Sequence, residues 1–196
     1  MRRGRMGGPL LALVLLAFLA GCGQASARVD RLYAGAPAGG TSGDVAWLFP
    51  RGGGDAAARV AGEIGAARAT LDVAVYSFTD ERIAQAVLAA QRRGVRVRLI
   101  TDREELRNPH QKAVVRELLR VGVPVEENRH SGLMHLKVAV VDGRTVITGS
   151  YNWTLSAAGE NDENLLVIRD PAVAASYERL FQSMWTDRRD FGAVSP

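Results

Sequence analysis

The chain has 196 residues, 47% of them apolar and 23% charged, with a formal charge of +4. Those values exclude a chain disordered throughout and are enough for one domain with its own core. Residues 1–21 hold Arg2, Arg3 and Arg5 and no acid, so the remainder carries 4 − 3 = +1; this excludes a uniformly basic nucleic-acid-binding surface, and any basic patch must be local.

The arginines are followed by the apolar run PLLALVLLAFLA and the small-residue stretch AGCGQASA. That order predicts an export signal over residues 1–21, too short for a comfortable membrane span. Two processing readings fit. Leu19-Ala20-Gly21-Cys22 resembles the lipobox of bacterial lipoproteins, in which the cysteine is lipidated and becomes the mature N-terminus. Ala25-Ser26-Ala27 has the small-x-small form of a plain signal-peptide cleavage site. The first is preferred, because Cys22 is the only cysteine and would otherwise be an unpaired thiol in an oxidising compartment. Gly23 follows it, which by the same resemblance implies the periplasmic face of the outer membrane.

Residues 22–43, rich in Ala, Gly and Ser, read as a flexible tether, and residues 44–190 as the folded domain. DVAWLF is a short strand ending at Pro50. Residues 55–69 read as a helix with Val60 and Ile64 on one face, and 70–78 as a strand with Leu71, Val73 and Val75 alternating. The next helix is capped by Thr79 or Asp80 and stopped by Gly94. VRVRLITD is a strand, 109–121 a helix ending at Gly122, VPVEEN a strand, and LLVIRD another. A last helix, 171–186, carries Tyr177, Leu180, Phe181 and Trp185 as its apolar stripe. Strands alternating with helices predict an α/β fold, a mixed sheet with helices on both faces.

The segment HLKVAVVDGRTVITGSYNW breaks the apolar pattern. His135 and Lys137 share one face of a strand that is otherwise suited to burial, and a buried cation is costly unless something pairs with it. With Asp142-Gly143 as a two-residue hairpin turn, Lys137 faces Thr148 and His135 faces Ser150, with Asn152 just beyond. Gly149 leaves room for a ligand at the backbone. An imidazole, an ammonium, hydroxyls and an amide around one spot suit the oxygens of a phosphate, with a nucleophile among them. Of the 25 basic residues only Lys112 and Lys137 are lysine, which suggests that the second site wants a compact ammonium.

The pattern HxK(x)4D(x)6GSxN, filled by His135, Lys137, Asp142, Gly149, Ser150 and Asn152, resembles the HKD signature of the phospholipase D superfamily. Glu163, in ENDEN, stands where that family has a carboxylate that orients the histidine. The similarity extends from about Trp47 to Trp185. The chain has one copy of the motif, and so resembles the small bacterial nuclease-like members that build their site from two chains. The resemblance implies that His135 attacks phosphorus to form a phosphohistidine, while His135 of a second subunit protonates the leaving oxygen and then activates water. It implies that Lys137 and Asn152 hold the non-bridging oxygens, that Ser150 adds a hydrogen bond, and that Glu163 accepts the second imidazole N–H. Asp142 belongs to the signature but reads as structural, closing the turn.

Neither a cofactor nor a metal is expected, because side chains supply the cations and the sequence has no cluster of carboxylates to hold Mg²⁺. A homodimer through the active site is expected, since one imidazole cannot serve both sides of an in-line displacement. The leading reading is a metal-independent phosphodiesterase, a nonspecific endonuclease. The alternatives are a phospholipase D acting on membrane phospholipids, with SGLM at 131–134 as a small apolar loop, and a non-catalytic envelope lipoprotein. His110 reads as a surface or capping residue, His130 as an exposed loop residue, and Trp153 as core. RRGVRVR, residues 92–98, fits a phosphate-tracking patch or a helix C-terminus equally well.

Overall fold

The computed structural model describes residues 38–194. The export signal, Cys22 and most of the tether lie outside them. Nine strands form one sheet among the described residues: β1 (Gly39–Ser42), β2 (Val45–Leu48), β3 (Thr70–Val75), β4 (Arg96–Thr101), β5 (Val125–Asn128), β6 (Lys137–Val141), β7 (Thr145–Gly149), β8 (Leu165–Ile168) and β9 (Phe191–Ala193). Their order is β1-β2-β8-β7-β6-β3-β4-β5-β9. The pairs β3/β4 and β4/β5 are parallel; β3/β6, β6/β7 and the other pairings are antiparallel. The α-helices are α1 (Ala56–Ala66), α2 (Glu81–Arg92), α3 (Pro109–Arg120), α4 (Leu155–Gly159) and α5 (Pro171–Thr186).

The helix starts follow from their caps. Asp55, Asp80, Asn108 and Asp170 each accept a hydrogen bond from a first-turn backbone N–H, and Pro109 and Pro171 occupy first-turn positions that need no donor. Of the two predicted caps for α2, Asp80 serves, accepting from Arg82 at 2.8 Å. Gly94, at φ +88°, ends that helix in the left-handed region.

The mixed sheet has helices on both faces, as predicted. Val60, Ile64, Ile83, Val87, Leu88, Val115 and Leu118 of α1, α2 and α3 pack on one face against Leu71, Val73, Val97, Leu99, Ala139 and Ile147. Phe181 and Ala174 of α5 cover the other, against Ala74, Ile100, Val138, Val140 and Val146. Leu180 departs from the predicted stripe: it is 43% exposed, and Phe181 is the buried anchor, with Tyr177 and Trp185 partly buried beside it. The tether reading also changes at its end, because Gly39–Ser42 is a strand whose partners run from Leu48 back to Val45. At the other end β9 pairs with β5, beyond the predicted limit at residue 190. Both are short edge strands, of four and three residues, with little hydrophobic alternation to announce them.

Two buried charges tie the layers together. Arg98 donates from Nε to Asp72 Oδ1 at 2.6 Å and from Nη2 to Oδ2 at 2.9 Å. It also reaches Gln182 at 2.9 Å and Glu178 at 3.2 Å on α5, and its guanidinium lies over the Phe181 and Trp185 rings. Arg93 donates to the carbonyls of Ile64, Gly65 and Ala67, closing the end of α1. With Arg96 3.9 Å from Asp72, three arginines of the 92–98 run are thus engaged in structure.

The β6–β7 hairpin differs from the predicted register. Asp142 and Gly143 have φ of 52° and 60°, and Arg144 N–H bonds Val141 O at 3.0 Å, as a tight turn requires. The ladder, however, resumes one residue later: Val141 pairs with Thr145, Val140 with Val146 and Ala139 with Ile147. Arg144 is the extra, exposed residue. The slip turns Ile147, instead of Val146, toward Ala139 and the core beneath α1, α2 and α3. It also sends Thr148 to the face opposite Lys137, so Thr148 is not part of the site.

Asp142 anchors this hairpin to the start of β3. Its carboxylate accepts from the backbone N–H groups of Arg68 at 2.9 Å, Ala69 at 2.7 Å and Thr70 at 2.9 Å. Burial pushes its pKa up, but these three donors outweigh that and hold it below the ordinary aspartate value. The stability it contributes is therefore present above the unfolded value near 3.8 and is lost as pH falls through the lower folded value. Asp142→Asn is expected to cost about 1–3 kcal/mol at neutral pH, and the gap to wild type should narrow below pH 3.8 in denaturant titrations. Arg98→Met, which leaves buried Asp72 with only the longer 3.9 Å ion pair to exposed Arg96, is expected to cost about 3–5 kcal/mol, and Asp72→Leu/Arg98→Met to recover most of it in thermal melts.

Candidate active site

The site forms at the carboxyl ends of the parallel strands β3 and β4, where loops converge. Three buried polar side chains set those loops. Gln111 accepts from Phe78 N–H at 2.6 Å and donates to Tyr76 O at 3.1 Å and Thr101 Oγ1 at 2.8 Å. Asp102 accepts from Met134 N–H at 2.8 Å and Glu104 N–H at 2.8 Å. Asn128 accepts from Arg103 N–H and donates to Gly132 O. Together they fix the segment 129–134 that delivers His135, and Tyr76 N–H bonds Leu136 O at 2.8 Å.

His135 and Lys137 come together as the sequence predicts. Lys137 Nζ lies 3.1 Å from each imidazole nitrogen of His135 and 2.8 Å from its carbonyl oxygen. Lys137 is only 7% exposed, whereas His135 is open to solvent. Among the described residues no carboxylate forms an ion pair with Lys137. Burial pushes its pKa below the ordinary lysine value, and the charges of Glu163 and Glu105 oppose that shift. The ammonium also lies 5.0 Å from the centre of the Tyr76 ring, which itself packs at 4.6 Å against the imidazole.

Ser150 and Glu163 meet directly, Ser150 Oγ donating to the carboxylate, which also accepts from Asn161 at 3.3 Å. Ser150 Oγ accepts from Asn164 N–H at 3.1 Å. Within the chain, then, Glu163 holds Ser150 and Asn161, while the His135 ring contacts Lys137 and Tyr76. Asn152 Oδ1 is buried and without a hydrogen-bond partner among the described residues. Such an orphaned amide oxygen costs stability unless a ligand or partner completes it. Asp142 lies at the far end of β6, on the 68–70 backbone, in the structural role read for it.

Gly149 has a different purpose from the one read in the sequence. It sits at φ +136°, and a Cβ there would lie 2.3 Å from Asn164 O. The chain's own backbone, not a ligand, makes the close approach. That approach lets Asn164 Oδ1 accept from Ser150 N–H at 2.9 Å and brings Glu163 to Ser150. Trp153 is core, 1% exposed and edge-on to Phe78 at 5.0 Å. His110 lies on the surface at the start of α3. His130 is half-buried, edge-on to Phe191 at 5.6 Å, instead of fully exposed.

Sequence reasoning missed Tyr76, Gln111 and Asp102. A signal existed: Tyr76 and Asp102 each follow a parallel strand directly, the position where α/β sheets carry ligand-facing residues. Among the described residues no group of three or more His, Cys, Asp or Glu side chains is placed to hold a metal ion.

The profile of the family described as "Cardiolipin synthase, PLD-like domain" matches residues 60–185. A mitochondrial cardiolipin hydrolase from Xenopus laevis is 39% identical over 121 residues, covering 62% of this chain and 57% of that protein. A phospholipase D from Rickettsia conorii is 36% identical over 118 residues, covering 60% of this chain and 58% of that one. The chain thus spans a little over half the length of these curated relatives. Among solved structures, the phospholipase D family member Nuc from Salmonella typhimurium aligns with a TM-score of 0.70 and 32% identity, over 74% of this chain and 96% of Nuc. NucT from Helicobacter pylori aligns with a TM-score of 0.65 and 27% identity, over 72% of this chain and 94% of NucT. With the motif, its geometry and this fold in agreement, the chain belongs to the phospholipase D superfamily of phosphodiesterases, as a member of the Nuc-like type.

Proposed function

We propose that this phosphodiesterase is a nonspecific endonuclease that cleaves through a phosphohistidine without a metal. The observation that carries the reading is the buried Lys137 ammonium against the solvent-open His135 ring. A phosphodiester supplies the negative charge that the ammonium lacks, and places phosphorus beside the imidazole. An imidazole nitrogen forms the N–P bond as the P–O bond to the leaving group breaks. A second imidazole gives its proton to that leaving oxygen. The same imidazole then takes a proton from water, whose oxygen attacks phosphorus and releases His135.

One chain offers a single motif, so the second imidazole comes from a second copy related by a twofold axis. The orphaned Asn152 Oδ1 and a Glu163 not bonded to its own histidine both support a site completed by another chain. The nuclease preference is supported by alignments that cover nearly the whole of Nuc and NucT. The first 22 residues support an exported, lipid-anchored enzyme at the outer membrane.

A second reading, hydrolysis of phospholipid, has an observation of its own. Leu133, two residues before His135, is 52% exposed, and Leu155, three after Asn152, is 72% exposed. Apolar side chains beside the site suit contact with acyl chains, and several relatives are named as cardiolipin hydrolases.

DNA, RNA and phospholipid vesicles, incubated with the protein in parallel in excess EDTA, are expected to show nucleic-acid cleavage that disappears in His135→Ala. Headgroup release alone would transfer the assignment to lipid, and loss of all turnover with chelator would end the metal-free mechanism. Co-refolding wild type with an equal amount of His135→Ala is expected to leave about one quarter of the activity, since only all-wild-type dimers carry two histidines; about one half would mean that each subunit acts alone.

A further inference from the structure

Tyr76 lies outside the motif, yet it touches both of the motif's basic groups. Its ring centre is 4.6 Å from that of His135, at an interplanar angle of 53°. Lys137 Nζ sits 5.0 Å from the same centre. Its backbone is held at three points: N–H to Leu136 O at 2.8 Å, and the carbonyl to Gln111 Nε2 at 3.1 Å and Thr101 Oγ1 at 3.3 Å. Gln111 is fully buried, so the ring's base cannot drift without breaking a satisfied buried network. The phenol is pushed to a higher pKa by burial and by the nearby charge of Glu105.

We propose that Tyr76 is a positioning residue: its ring braces the His135 imidazole at the angle of attack and shields the Lys137 ammonium from water. This rests on the reading of His135 as the nucleophile. An imidazole open to solvent on one side rotates about χ1 and χ2 unless its other face is packed. A ring edge or face supplies that packing and, beside an ammonium, a favourable quadrupole. Glu163 keeps Ser150 and Asn161, so within one chain the tyrosine is the imidazole's only packing partner among the ring contacts of the described residues. The charged and titratable groups acting on the ammonium are His135 beside it, Glu163 from the loop before β8, and Glu105 from the turn after β4.

The test compares Tyr76→Phe, Tyr76→Leu and Tyr76→Met as pH–rate profiles on a phosphodiester substrate, with melting curves for each. Tyr76→Phe keeps the ring and is expected within about threefold of wild-type kcat. Tyr76→Leu and Tyr76→Met are expected to lose about 10- to 100-fold in kcat with KM within about threefold. Their alkaline limb should also move to higher pH: water regains the ammonium, and relief of burial, the largest cause of its lowered pKa, outweighs the loss of the ring's weak quadrupole. The two aliphatic variants guard against a folding defect in either one. Wild-type kcat with an unmoved limb in whichever folds would overturn the proposal, as would equal loss in Tyr76→Phe. Activity surviving in His135→Ala would instead remove the nucleophile assignment on which it rests.

Discussion

A lysine ammonium buried with no carboxylate in contact is the constraint around which the site is arranged. Moving such a charge out of water costs several kcal/mol even after relaxation. The chain offsets part of that cost with weak acceptors: the His135 carbonyl, the imidazole and the face of Tyr76. None carries a full negative charge. Glu163 and Glu105 act from further away and only moderate the shift. The site is therefore most stable when an anion enters, and a phosphodiester carries the one negative charge that the ammonium lacks.

The fold uses its own buried polar groups to fix the segments around that site. Gln111, Asp102 and Asn128 bind backbone N–H and C=O groups at the ends of β3 and β4 and in the 129–134 segment. Each satisfied group converts a loop into a fixed support, which is the condition for placing a nucleophile to within a fraction of an ångström. Asp142 does the same at the other end of β6, through three backbone donors. The motif thus divides: its histidine opens to solvent beside the buried lysine, while its aspartate belongs to the scaffold.

The bulge at Arg144 shows how a single residue redistributes a site. Sequence patterning permits either register across β6 and β7, because Val146 and Ile147 are both apolar. The observed register keeps the Arg144 charge in solvent and pairs Ile147 with Ala139 beneath the helices. It also places Gly149 where Asn164 can approach, and this approach joins Ser150 to Glu163.

Much was legible without coordinates. Hydrophobic period, capping residues and glycine stops gave the helices and central strands, because each is a local preference of a few neighbouring residues. The spacing of His135 and Lys137 determined that they would meet, since strand side chains two apart share a face. What lies far apart in the chain had to wait for the tertiary structure: the one-residue slip, the use of Gly149 for Asn164, the Asp72–Arg98 pair, and Tyr76 against the imidazole. No local rule links residues 76 and 135. They touch because β3 and β6 pair, and that pairing is decided by the burial of both strands between two helical layers.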